Sequence, residues 1–223
     1  MGRSSAPRSQ QRLRVFDAYR GRGARTNDLW LFYSVKTNRD WILSSNRQLV
    51  HWLVFLEADP SVKSFDFVPT EDQSLHEATV AVVRANGTRE RHLVVADWIG
   101  RTERVQSPES EGQPEVVRVY TDIELRPQVQ QAMRWLKAVA FAGALRDRES
   151  LQVRLALLPL LRGAEKGTVG WIAKELSGFD EPSIFGMLVR LAIEGHVSID
   201  LSAYGFCAAT PWAWQEGDIN VVA

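Results

Sequence analysis

At Pro127 the chain changes character, and that switch limits its possible folds more than any other feature. Before it, short β-prone runs alternate with turn signals. Beyond it, four apolar periodicities of helical length follow one another. DLWLFYSVK (28–36) is aromatic and β-prone. DWILSSNRQLVHWLVFLEADP (40–60) starts like a strand and continues as a helix, with Trp52, Leu53, Phe55 and Leu56 at helical spacing and Asp59-Pro60 as its stop. VKSFDFVP (62–69) reads as a short strand. EATVAVVRANGTRERHLVVADWIG (77–100) reads as a hairpin around Asn86-Gly87, the dipeptide preferred by a type I′ turn. SPESEGQPE (107–115) is a polar loop, and EVVRVYTDIEL (115–125) a strand stopped by Pro127.

Helices are predicted over 128–149, 151–163, 167–178 and 180–195, with Thr168 as the N-cap and Gly178 as the C-cap of the third. Two short strands around Tyr204-Gly205 follow. Helices followed by a hairpin make the order of a winged helix. Its fourth helix, IFGMLVRLAIEG, offers only Arg190 as a basic residue, whereas a base-reading helix is richer in Arg, Lys, Asn and Gln. This module therefore reads as protein-binding.

Lys and Arg total 27, as do Asp and Glu, giving a formal net charge of zero that hides an uneven distribution. Arg3, Arg8, Arg12, Arg14, Arg20, Arg22 and Arg25 crowd the first 26 residues against the single acid Asp17, so 1–27 is expected to be a basic, flexible arm suited to phosphates, or else a solubilising tail. No apolar run approaches the roughly 18 residues a bilayer span needs, and the Arg-rich start lacks the apolar core of a secretory signal, so a cytoplasmic protein without membrane association is expected. One cysteine, Cys207, excludes an intramolecular disulfide and a cysteine-based zinc site. His51, His76, His92 and His196 show no metal-ligand spacing and read as structural or exposed. Of eight tryptophans, Trp30, Trp41, Trp52, Trp98, Trp135 and Trp171 fall in apolar runs and are expected in the core, while Trp212 and Trp214 should cap it.

Metal-dependent nucleases need carboxylates to hold Mg²⁺, which activates water and stabilises charge on the phosphate. Asp97 closes the run HLVVADWIG. Glu124 and Arg126 sit two apart in VRVYTDIELRP, on one face if that run is a strand. Asp122, two before Glu124, is a further acid on the same face.

Four segments, in this order, resemble the TnsA family, the endonuclease subunit of heteromeric transposases: SVKTNRDWILSS with Ser34, Lys36 and Arg39; FLEADPSVKSFDFVP; RERHLVVADWIG with Asp97-Trp98; and IELRP with Glu124 and Arg126. The resemblance covers about 28–127, and the helical tail is similar in kind to the family's C-terminal winged-helix domain. It implies an α/β fold: a restriction-endonuclease-like mixed sheet with flanking helices over 28–127, followed by a helical winged-helix-like domain over 128–223. It also implies Mg²⁺ held by Asp97 and Glu124, with Arg126 in the place of the family's lysine. DNA contacts are expected at Arg12, Arg14, Arg20, Arg22, Arg25, Lys36 and Arg39. The implied partners are DNA, a transposase subunit and an AAA+ transposition ATPase. The chain departs from the family pattern in two catalytic positions. No acid lies between Trp41 and Leu56, where the helix position falls nearest Gln48, and arginine replaces lysine at 126. The implied function is Mg²⁺-dependent cleavage at the 5′ ends of the element, or a catalytically impaired subunit that holds DNA. A non-enzymatic DNA-binding regulator or defence-associated adaptor, and an unrelated restriction-like nuclease, are the alternatives.

Overall fold

The computed structural model describes residues 29–68, 77–95, 116–146 and 151–215. It is a mixed α/β structure. Trp30–Ser34 (β1) and Arg39–Leu43 (β2) form an antiparallel pair. Helix α1 begins at Asn46–His51, with Ser45 as N-cap accepting from the Gln48 amide, and runs on as π-helix through Trp52–Glu57. The Ala58 amide closes that last turn on the carbonyl of Leu53, five residues back.

A four-stranded sheet follows in the order β3 (Val62–Val68), β4 (Glu77–Arg84), β5 (Arg89–Val95) and β6 (Val116–Tyr120). The first three are antiparallel neighbours, and β6 lies parallel to β5. Strand alternation gives the sheet one buried face: Phe65, Val80, Val82, Glu90, His92 and Val94 point to it and α1 packs across it. The β4–β5 turn differs from the expected type I′. Only Gly87 has positive φ, at 85°, and its amide donates to the carbonyl of Arg84, while the Arg84 amide donates to Thr88. This is a three-residue loop, a type I turn followed by a glycine in the left-handed region.

The expected strand over 115–125 stops at Tyr120. Asp122–Leu125 (α2) is a helical turn that continues as a 3-10 turn over Arg126–Gln128. Thr121 and Glu124 form a reciprocal capping box that starts it.

The tail comprises α3 (Val129–Ala144), α4 (Leu151–Ala164), β7 (Lys166–Thr168), α5 (Val169–Glu175), α6 (Glu181–Ile193), β8 (Val197–Ile199) and β9 (Pro211–Trp214), with a three-stranded sheet in the order β7-β9-β8. Thr168 caps α5 as expected, accepting from the Trp171 amide; the other end closes at Leu176 rather than Gly178. Helix α6 is a core element: nine of its residues are buried, from Ser183 to Ile193. It lies so close to α3 that a Cβ on Gly186 would stand 2.5 Å from the Phe141 carbonyl oxygen. Arg190 donates from Nε to the Ala142 carbonyl, so the helix's one basic side chain faces its neighbour. Helix α3 also packs on α1 and β1, and one hydrophobic core runs from Trp41 and Trp52 through Trp135 and Leu188 to Trp212. No helix among the described residues is long and apolar enough to cross a membrane.

Candidate functional site

Two clusters of buried charge lie around α1. The first joins β1 to the end of the helix. Glu57 is fully buried; its carboxylate accepts from Ser34 Oγ and from the Val35 amide, both at 2.7 Å. Burial pushes this carboxyl above its ordinary range against those bonds and the charge of Lys36. Lys36 Nζ donates to the backbone carbonyls of Leu56, at 2.8 Å, and Asp59. Burial brings its pKa down to about 8 despite the nearby Glu57 and Asp59. The Ser34-x-Lys36 and Leu56-Glu57-x-Asp59 segments, distant in sequence, thus form one clamp. Lys36, expected to face phosphates, holds the helix terminus instead. Arg39 is exposed; its guanidinium lies 4.0 Å from the ring centroid of Trp41 and 3.3 Å from the Asp66 carboxylate.

The second cluster occupies the buried face of the sheet. Alternation on β5 points Glu90 and His92 toward α1, which contributes His51. His51 Nε2 and His92 Nδ1 are 3.1 Å apart, and His92 Nε2 is 2.8 Å from Glu90 Oε2. Arg84 Nη2, at 2.8 Å, and Arg118 Nη2, at 3.1 Å, also reach Glu90, and Arg84 Nη1 reaches Asp59 at 2.7 Å. Burial alone would raise the Glu90 carboxyl, but the bonds from Arg84 and His92 and the charges of Arg84 and Arg118 hold it at about 2. Burial lowers both histidines, His51 furthest and with added repulsion from His92; Glu90 only partly restores His92. Tyr120 and Phe55 close the space above the rings, with Tyr120 centroids 4.7 Å from His51 and 5.0 Å from His92.

These facts set the tautomers. The Glu90 carboxylate can only accept, so neutral His92 carries its proton on Nε2 and accepts at Nδ1. His51 then donates from Nε2, leaving its Nδ1 as a bare acceptor, and that atom is buried without a partner among the described residues. The groups are linked in series and do not converge on a common point. The two carboxylates, Glu90 and Asp59, balance the two guanidiniums, Arg84 and Arg118. His51 and His92 lie 41 positions apart, so no local spacing in the sequence links them. The available signal was Glu90-x-His92 at strand spacing.

The positions expected to hold Mg²⁺ are arranged differently from the expectation. Glu124 and Arg126 do not share a strand face, because Thr121 caps a helical turn and takes both out of the sheet. The Glu124 carboxylate turns back to accept from the Thr121 amide at 2.9 Å. Asp122 forms a two-pronged ion pair with Arg47, with the Nη2–Oδ2 contact at 2.9 Å, which keeps its carboxyl low. Gln48 Oε1 accepts from the Ser44 amide at 2.8 Å. Asp97 and the arm arginines Arg12, Arg14, Arg20, Arg22 and Arg25 lie outside the described residues, as do His76 and Trp98. Among the described residues no group of three or more His, Cys, Asp or Glu side chains is placed to hold a metal ion.

Beside this turn lies a groove of about 480 Å³, between the start of α1, α2 and the first turns of α3. Trp30, Leu49, Val50, Leu125, Val129 and Met133 supply its apolar walls.

No family model matches the chain, and neither a curated protein nor a solved structure matches it.

Proposed function

We propose that the protein is a TnsA-like subunit of a DNA transposition complex that holds DNA and contributes little or no cleavage of its own. Support for the fold comes from connectivity: a helix, three antiparallel strands and a fourth strand parallel to the third follow the order expected of a restriction-endonuclease-like core. The tail's order α4-β7-α5-α6-β8-β9, with β9 central in its sheet, supports the expected winged-helix-like domain. The Ser34/Lys36 and Glu57/Asp59 segments, two of the four that carry the resemblance, meet in one clamp.

The observation that carries the functional half is the fate of the carboxylates. Glu124 is engaged by its own N-cap, Asp122 by Arg47, and Glu90 by two arginines and a histidine. A hard divalent cation needs charged oxygens free to coordinate it. Each of these described carboxylates is already held by hydrogen-bond or charge partners, which supports the impaired reading; Asp97 lies outside the described residues. A role in holding DNA rests on the basic arm, and one in contacting a transposase and an AAA+ ATPase on the tail, whose α6 is committed to the core.

Supercoiled plasmid incubated with the full chain and Mg²⁺ or Mn²⁺ tests this reading. The expected result is no nicking, with duplex DNA bound in a salt-dependent way and the affinity lowered by removing residues 1–26. Nicking by the wild type that Asp97→Ala or Glu124→Ala abolishes would overturn the impaired reading and restore the metal site. Failure to bind DNA at low salt would sink the proposal itself.

A further inference from the structure

The groove beside α2 combines an apolar interior with one guanidinium that stands outside a direct ion pair. Leu49, Val50 and Leu125, all buried, form its floor, while Val129 and Met133 stand at its rim, 41% and 52% exposed. Trp30 forms a fixed wall, its indole N–H donating to Asn46 Oδ1 at 2.9 Å. Two arginines line the groove. Arg47 is closed on Asp122, so that pair is neutral as a unit. Arg126 is exposed; among the described residues its guanidinium makes no hydrogen bond or ion pair, and its charge acts at longer range on the Asp122 carboxylate that Arg47 already holds. A cavity of this size lies within the roughly 300–1,000 Å³ range of small-molecule sites, which are mostly apolar with a few orienting polar groups.

We propose that this groove binds an apolar monoanion, a medium-chain or aromatic carboxylate, with the acid group on Arg126 and the apolar body over Leu49, Val50 and Leu125. The charge count selects one anionic group. The apolar floor selects a hydrocarbon body over a sugar-phosphate chain, which needs several cations along its track. The site does not depend on the DNA-holding role.

Titration of the full chain with 8-anilinonaphthalene-1-sulfonate, an apolar monoanion, tests the proposal, with decanoate as competitor and the uncharged N-phenyl-1-naphthylamine as control. Saturable binding of one dye per chain, displaced by decanoate, is expected. Arg126→Gln should weaken the anionic dye about tenfold, the size of one charge-assisted hydrogen bond, and leave the uncharged dye nearly unchanged. Met133→Glu should weaken the anionic dye more strongly. The exposed Arg126 side chain makes no hydrogen bond or ion pair among the described residues, so thermal unfolding of Arg126→Gln should stay close to the wild type. Unsaturable dye binding, or equal anionic-dye affinity in Arg126→Gln and wild type, would overturn the proposal. So would displacement by duplex DNA but not by decanoate, because Arg126 would then be a phosphate contact. None of these results bears on plasmid nicking.

Discussion

His51 and His92 sit between a helix and a sheet with one hydrogen bond joining them and a carboxylate at one end. Burial depresses both, so the unfolded chain binds protons more readily than the folded one below the ordinary histidine pKa of about 6.5. Stability is then complete above that value and falls as pH drops below it, by up to about 1.4 kcal/mol per pH unit for each histidine. Groups facing the pair include Glu90, Arg84, Arg118 and Tyr120. Of these, Glu90 stays ionised until far lower pH, with its carboxyl at about 2, so the first loss belongs to the imidazoles. Urea unfolding, run from above to below the histidine range, should show this slope, and joint replacement of His51 and His92 should remove it. Glu57, whose carboxyl burial raises, gives a slope of opposite sign, so the histidine contribution is the difference between the wild type and the double replacement; identical profiles would mean that the rings are hydrated or already charged in the folded protein.

Two elements carry sharper mechanical expectations. A Cβ on Gly186 would meet backbone oxygen on α3, which cannot rotate away, so Gly186→Ala must push α3 and α6 apart. Overpacking of this kind costs about 1–3 kcal/mol, read as a lowered urea midpoint at unchanged slope. At α2, Thr121→Ala removes half of the capping box and should cost about 1 kcal/mol, with faster amide exchange over 122–128. Normal protection there would show that the Arg47–Asp122 pair alone holds the turn. The same turn marks where sequence reading stopped. Thr121-x-x-Glu124 carries the capping signature, but Glu124-x-Arg126-Pro127 also suits a strand end, and local pattern does not rank the two. Longer elements were legible because their periodicity is sustained: α3, α4, α6, and the β4–β5 hairpin with its glycine. The three residues of β7 carry no period, and no spacing of apolar residues distinguishes the π-helical run of α1 from an α-helix. The site fared worse. Its side chains come from α1, β4, β5 and β6: the sheet register brings Arg84, Glu90 and Arg118 together, and the packing of α1 on β5 adds His51.

At the scale of the whole molecule, α3 belongs to both halves. It is the first helix after the Pro127 switch, yet Ala132, Trp135, Ala138 and Val139 are buried in a core shared with α1, β1 and α6. Arg146, beyond its end, reaches Asp40 on β2 at 2.8 Å, and Tyr33 on β1 packs over Gly143. Full-length protein should therefore unfold in a single transition by circular dichroism and tryptophan fluorescence. A fragment ending at Gln128 should lack cooperative unfolding, since it exposes the underside of α1 and β1. Cooperative unfolding of that fragment would show that the sheet half needs no support from α3.

The shared helix has a mechanical consequence. A beam clamped at both faces cannot tilt toward one without dragging the other. A partner that grips the tail and pulls on β9 would load the three-stranded sheet first, then α6 through β8, then α3 through the tight seat at Gly186, and then the β1–β2 pair through Arg146 and Asp40. Tension applied at β9 is thus passed to the β1–β2 pair through α3.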